Sequence, residues 1–345
     1  MTCTNTIEEY FEKGLDYYEG RGIEKDFTLA FGRFVKAAEA GHARSQFRLG
    51  NMYFSGEGVD QNPAKAVEWF EKAAVQGHEE AQCNLGVIYA NGMGVPKNEA
   101  AAIQWWQKSA AQGNAQAQCS LGVRYDEGRG LPRDIAKAIE LWQKSADRGE
   151  KNSQYNLGRK YENGFDVPVD YTKAVELYEK AAEQGHVLAQ LNLGLMYKSG
   201  EGVSRNYGKA IELLEKAAEQ GNSDAQYHVG VIYLHGGAVV QDIVKAVKWY
   251  HKAAEQGNMY AQFVLGDMYC HGDGVPQDYN AAFNLFKKSA DQGYASAQYN
   301  LGHLYMGGKG VAKDPMQVKN LWKKAAVQGH KSAIKNLKIL EQQGF

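Results

Sequence analysis

Residues 85–98 read LGVIYANGMGVPKN. Gly92, Gly94 and Lys97 beside a helical pattern resemble a phosphate-cradling loop, in which glycines let backbone N–H groups close on an anion at a helix start. The competing reading is a turn between two helices. Recurrence decides between them. Gly86 is one of nine glycines spaced 36 residues apart, from Gly14 to Gly302. Tyr89 belongs to a matching series from Tyr17 to Tyr305, and Gly77 to one from Gly41 to Gly329, with no insertion anywhere. A nucleotide loop is built once for one job. Here the G-x-G pair recurs in seven of nine copies, and Val169 and Gln277 stand where Lys97 does. Nine unbroken copies predict a solenoid of stacked units.

One copy gives the local structure. In EEAQCNLGVIYAN, residues 79–91, the residues Ala81, Leu85, Gly86, Ile88 and Tyr89 fall on one side at 100° per residue, the pattern of an amphipathic helix. This helix A closes at Gly92, a residue able to take the left-handed conformation. The place of Asn98 is Asp or Asn in every copy, from Asp26 to Asp314, and predicts an N-cap for a second helix, B. Lysines from Lys36 to Lys324 fall in the last turn of helix B, at the negative end of its dipole. Each unit therefore reads as one αα-hairpin. Gly86, Ala102 and Ala110 are small where the helices must approach. Lys13 replaces the Leu of positions 49 and 85 in the first unit, and Lys338 replaces the glycine in the last helix, as expected of terminal units. The second loop glycine is Asp166 in one copy and Ala238 in another, which predicts locally different turns.

The pattern A-x-x-x-L-G-x-x-Y-x-x-G-x-G-V-x-x-[DN]-x-x-K-A-x-x-W-[YF]-x-K-A-A-x-x-G resembles the Sel-one-like repeat (SLR) family, a relative of the tetratricopeptide repeats. The resemblance runs from about residue 7 to 340. It implies an all-α, right-handed superhelical solenoid of nine αα-hairpins. The expected organisation is a single domain over 1–345, with repeats to about 330 and a capping helix over 331–345. It also implies a non-enzymatic scaffold or adaptor, with a toxin-neutralising (immunity) role or contact with a host protein as finer versions.

Composition excludes several classes. Lys and Arg total 39 against 40 Asp and Glu, a net charge of −1, so there is no excess of positive charge to neutralise a nucleic-acid backbone. No run approaches 18 apolar residues, so no membrane-inserted helix is expected. MTCTNTIEEYFEKGLDYYEG lacks an export signal, and a cytoplasmic location is expected. The alternative is periplasmic or secreted, had a leader been removed before residue 1, with Cys3 then a candidate lipid-anchor site. The four cysteines, Cys3, Cys83, Cys119 and Cys270, show no C-x-x-C spacing and read as free thiols.

Candidate chemistry is sparse. His42, His78, His186 and His330 follow the glycine that ends helix B, where other copies have Asn114, Asn222 and Asn258, so they read as caps. His235 and His271 share a position in successive A helices, with His228 and His303 on the same face. This row is read as solvated or partner-facing; the alternative is a hydrolase or metal-dependent enzyme built on it. No catalytic residue, metal or cofactor is otherwise expected. The tryptophans on helix B read as core, with an aromatic binding row as the alternative.

A protein partner, offering an extended segment or a folded domain, is expected on the face of helix A that turns away from Leu85. The 100° arithmetic places residues 80, 83, 84, 87, 90 and 91 there. Taken copy by copy, the candidate binding residues are Phe47, Arg48 and Asn51; Asn84, Val87 and Asn91; Ser120, Val123 and Glu127; Tyr155, Asn156 and Arg159. They continue as Leu191, Asn192 and Leu195; Tyr227, His228, Val231 and His235; Phe263, Val264, Asp267 and His271; Tyr299, Asn300 and His303. Asparagines beside aromatics suit a peptide main chain and its apolar side chains. The other reading of these aromatics is that they seal contacts between successive A helices.

Overall fold

A computed structural model describes residues 4–342 apart from Ala238, so the expectations for Cys3 and for the turn at Ala238 lie outside the described residues. The described residues form nineteen helices and no strand. The chain divides into two compact units, Met1–Val169 and Asp170–Phe345. The protein is an all-α solenoid built from the 36-residue repeat with a further helix at its C-terminal end.

The first unit holds α1 (Thr4–Glu19), α2 (Phe27–Glu39), α3 (Ala43–Ser55), α4 (Pro63–Val75), α5 (Glu79–Asn91), α6 (Glu99–Ala111), α7 (Ala115–Glu127), α8 (Ile135–Asp147) and α9 (Lys151–Asn163). Odd-numbered helices are A and even-numbered ones B, and each A packs on the B that follows it in the pairs α1–α2, α3–α4, α5–α6 and α7–α8. The second unit begins with α10 (Tyr171–Glu183). It continues through α11 (Val187–Ser199), α12 (Tyr207–Glu219), α13 (Ser223–His235), α14 (Ile243–Glu255), α15 (Met259–His271), α16 (Tyr279–Asp291), α17 (Ala295–Gly307) and α18 (Pro315–Val327) to α19 (Lys331–Gln342).

The capping chemistry has the predicted form. Asn98 Oδ1 accepts the Ala101 N–H at 3.0 Å, and Asp or Asn does the same at the start of every B helix from Asp26 to Asp314. Gly92 closes α5 at φ +74°. The second loop glycine has a different reason: a Cβ on Gly94 would sit 2.7 Å from the Pro63 backbone of the preceding repeat. At the matching position Asp166 holds φ +66°, its carboxylate 3.1 Å from Arg133 Nη2 and 3.7 Å from Lys160 Nζ. The capping histidines behave as expected at three positions. Nδ1 of His78, His186 and His330 accepts the N–H three residues on, while His42 bonds Ser45 Oγ instead.

The helical glycine is explained by packing within the hairpin. A Cβ on Gly86 would lie 2.3 Å from Trp106 Nε1, and one on Gly50 2.5 Å from the Phe70 ring. The absent side chain lets the large B-helix residue lie against the A backbone, and burying such a ring is worth about 1.5–3 kcal/mol. Trp106, Trp142 and Trp322 are buried, and Trp69, Trp105 and Trp249 pack against the cluster of an adjoining repeat, so the tryptophans are core residues. The repeated tyrosine ties neighbouring repeats together. Tyr89 Oη donates to Glu71 Oε1 at 2.7 Å and Tyr233 Oη to Glu215 Oε1 at 2.7 Å, each reaching back 18 residues.

Candidate protein-interaction face

Among the described residues, clefts open between successive A helices in both units. In the first unit Asn51, Asn84 and Val87 meet Phe54, Phe70, Ile88 and Met93 around about 240 Å³. Val123, Glu127, Asn156 and Arg159 meet Asp126, Trp142, Lys160 and Phe165 around about 130 Å³. In the second unit Leu191, Leu195, Tyr227 and His228 are joined by Asp224 and Tyr260 around about 400 Å³. Asp267, His271, Asn300 and His303 are joined by Cys270, Tyr279, Met306 and Lys309, among others, around about 550 Å³.

The remaining candidates lie beside these clefts rather than in them. Phe47 stacks on His78 at 4.6 Å, Phe263 packs edge-on to Tyr294 at 5.1 Å, and Tyr299 stacks on Trp322 at 5.8 Å. Phe47 and Phe263 thus reach the residue that leads into the next A helix, whereas Tyr299 packs on the B helix of its own hairpin. Arg48 lies over the Tyr18 ring and Arg159 over Tyr155, at 5.6 and 5.8 Å. Asn91 Nδ2 donates to its own helix at Val87 O, Ser120 Oγ to Gln116 O, and Asn192 Nδ2 to Tyr178 Oη at 3.1 Å. Val231 and Val264 pack as half-buried residues against the core of the second unit, and His235 is exposed.

The face is narrower than the 100° arithmetic predicted. Cys83 and Ala90 are buried at 2% and 6% exposure, and Leu191 at 7% belongs to the core around Leu214 and Val229. An A helix in a stack is covered by its own B helix and by its neighbours on either side, so only a strip near positions 80, 84, 87 and 91 stays open. The copy-by-copy reading also missed Asp224 and Tyr260. Both are copies of position 80, which the arithmetic had already placed on this face.

The histidines do not form one row in one environment. His228 is half-buried with Nδ1 out of solvent and without a hydrogen-bond partner. Burial first, and the Lys198 charge second, push it down to about 4 against the pull of Asp224, so its ring is neutral near pH 7. His303 is lowered by burial alone. His271 is exposed, its Nδ1 2.9 Å from Asp267 O. Among the described residues, no group of three or more His, Cys, Asp or Glu side chains is placed to hold a metal ion. Cys83 and Cys119 are buried free thiols. No described helix is long and apolar enough to cross a membrane.

The profile of the Sel1 repeat matches nine consecutive segments, beginning with 14–42 and 43–78 and ending with 295–330. The chain belongs to the Sel1 repeat family. Among solved structures it is similar to c5321, a protective antigen of uropathogenic Escherichia coli with an SLR fold. The identity is 35% over 98% of this chain and 80% of that one, with a TM-score of 0.73. It is also similar to a Sel1 repeat protein from Oxalobacter formigenes, at 35% identity over 90% of this chain and 89% of that one, with a TM-score of 0.64. No curated protein matches the chain.

Proposed function

We propose that this Sel1 repeat chain is a non-enzymatic adaptor whose A-helix face binds another protein through an extended segment. Sel1 repeat proteins are protein-interaction scaffolds, which supports the general role. The observation that carries the reading is the gathering of residues the repeat leaves free into clefts of mixed apolar and polar character. Such clefts suit side chains projecting from a bound segment.

Affinity capture tests the reading. The intact chain is compared with a variant carrying Val87→Arg, Arg159→Glu and Asp267→Arg, all outside the buried core. Loss of specific partners from the variant, with helicity and thermal midpoint unchanged, supports the face. Recovery of the same proteins by both chains places the binding surface elsewhere.

A further inference from the structure

We propose that the cleft between α11 and α13 is a socket for an arginine side chain of the partner, with Tyr227 and Tyr260 as its aromatic walls and Asp224 as its counter-charge. The proposal deepens the adaptor reading and rests on it.

The first argument is an internal precedent. Tyr155 on α9 and Tyr227 on α13 occupy the same place in their repeats, 72 residues apart. Beside Tyr155, one helical turn on, the Arg159 guanidinium lies over the ring at 5.8 Å from its centroid. Beside Tyr227 that place is taken by Val231, and among the described residues no cation lies over Tyr227 or Tyr260. At this register of the A helix the chain has already placed a guanidinium on a tyrosine once. On α13 it leaves the ring without one.

The second argument is charge. Asn152 precedes Tyr155 by three residues, whereas Asp224 precedes Tyr227 by three. The copy that lacks its own arginine has gained a carboxylate. Asp224 Oδ1 accepts from Asn258 Nδ2 at 2.8 Å, which fixes the carboxyl group at the rim. The Tyr227 and Tyr260 rings stand 5.7 Å apart at 35°, and Tyr260 is 40% exposed. Leu191 and Leu195 complete an apolar wall for a methylene stem. Lys198 acts on His228 from the last turn of α11 and does not line the cleft, and a neutral His228 adds no repulsion. A guanidinium suits these walls better than an ammonium, because it is planar, stacks on rings and is more weakly hydrated.

The test is a titration of the full chain, labelled at leucine methyls, with the single residue Nα-acetyl-arginine methylamide. The capped citrulline and lysine analogues are run beside it. Saturable shifts of the Leu195 methyls by the arginine probe are expected, with binding about tenfold weaker or worse for citrulline and for Asp224→Asn. That variant keeps an Oδ1 acceptor for Asn258, and an unchanged thermal midpoint confirms its fold. An absent or unsaturable response, an equal response to citrulline or lysine, or indifference to Asp224→Asn overturns the socket. If the socket fails while capture remains sensitive to the face substitutions, the adaptor reading stands. If capture is insensitive to them, it falls separately.

Discussion

Gln112 donates its side-chain amide to the buried Gln82 Oε1 at 2.8 Å, joining the end of α6 to α5. The same bond, always 30 residues apart, links Gln76 to Gln46, Gln220 to Gln190, Gln256 to Gln226, Gln292 to Gln262 and Gln328 to Gln298. Each acceptor glutamine also donates to a carbonyl at the end of the preceding B helix, as Gln82 does to Ala74 O at 2.9 Å. One buried amide thus satisfies groups on both sides of a helix junction.

The ladder breaks at Gln118, where the donor position is Arg148 and Gln118 Oε1 is buried without a partner. Arg148→Gln should restore the bond and stabilise the first unit by about 0.5–1.5 kcal/mol. Gln112→Ala should do the reverse, costing about 1–3 kcal/mol by orphaning Gln82 Oε1. Denaturant midpoints of the two variants against the parent decide it; no rise for Arg148→Gln would show that the arginine already serves Gln118 in solution.

Gly86→Ala should destabilise by about 1–3 kcal/mol, since the new methyl would overlap Trp106 and force the ring aside. The second unit contains a milder version of the pair, in which a Cβ on Gly194 would meet Leu214 Cγ at 2.9 Å. In a Trp106→Leu background the cost of Gly86→Ala should therefore shrink. A double-mutant cycle with no coupling would show that the glycine serves helix A for another reason.

The repeat period, both helices of each copy and every B-helix cap were legible because each rests on local spacing and backbone chemistry. The open strip of helix A was less so. At about 100° per residue positions 83 and 84 both fall on the side of the helix away from Leu85, yet Cys83 is buried and Asn84 half-exposed, a difference set by the adjoining repeat rather than by the helix itself. Lys72 illustrates the same limit. Its i,i+4 spacing from Glu68 predicts an ion pair, but the ammonium lies over Trp69 at 3.9 Å. Lys216 and Glu212, with no tryptophan to compete, do pair at 2.6 Å.

The tyrosine contacts make stability sensitive to alkali. Hydrogen bonding to Glu71, aided by burial and the carboxylate charge, pushes Tyr89 up to about 12, and Glu215 does the same for Tyr233. An unfolded tyrosine titrates near about 10. A group raised on folding contributes fully below the unfolded value and loses its contribution as pH climbs through the folded one. The unfolding midpoint should therefore fall between about pH 10 and 12, and Tyr89→Phe should lower stability at neutral pH while flattening that fall. A parallel alkaline fall in parent and variant would remove Tyr89 from the account.

Thiol labelling reads the burial of position 83 and its copy directly. Burial, with nearby glutamates adding to it, pushes the Cys83 and Cys119 thiols up to about 12, so little thiolate exists at neutral pH and little solvent reaches it. Cys270 is only half-buried, its thiol raised chiefly by that burial, and it lines the cleft between α15 and α17. Iodoacetamide followed by peptide mapping should mark Cys270 well before Cys83 or Cys119, which should react only after unfolding. Rapid native labelling of Cys83 would mean that α5 and α7 separate in solution, widening the strip of helix A that a partner can reach.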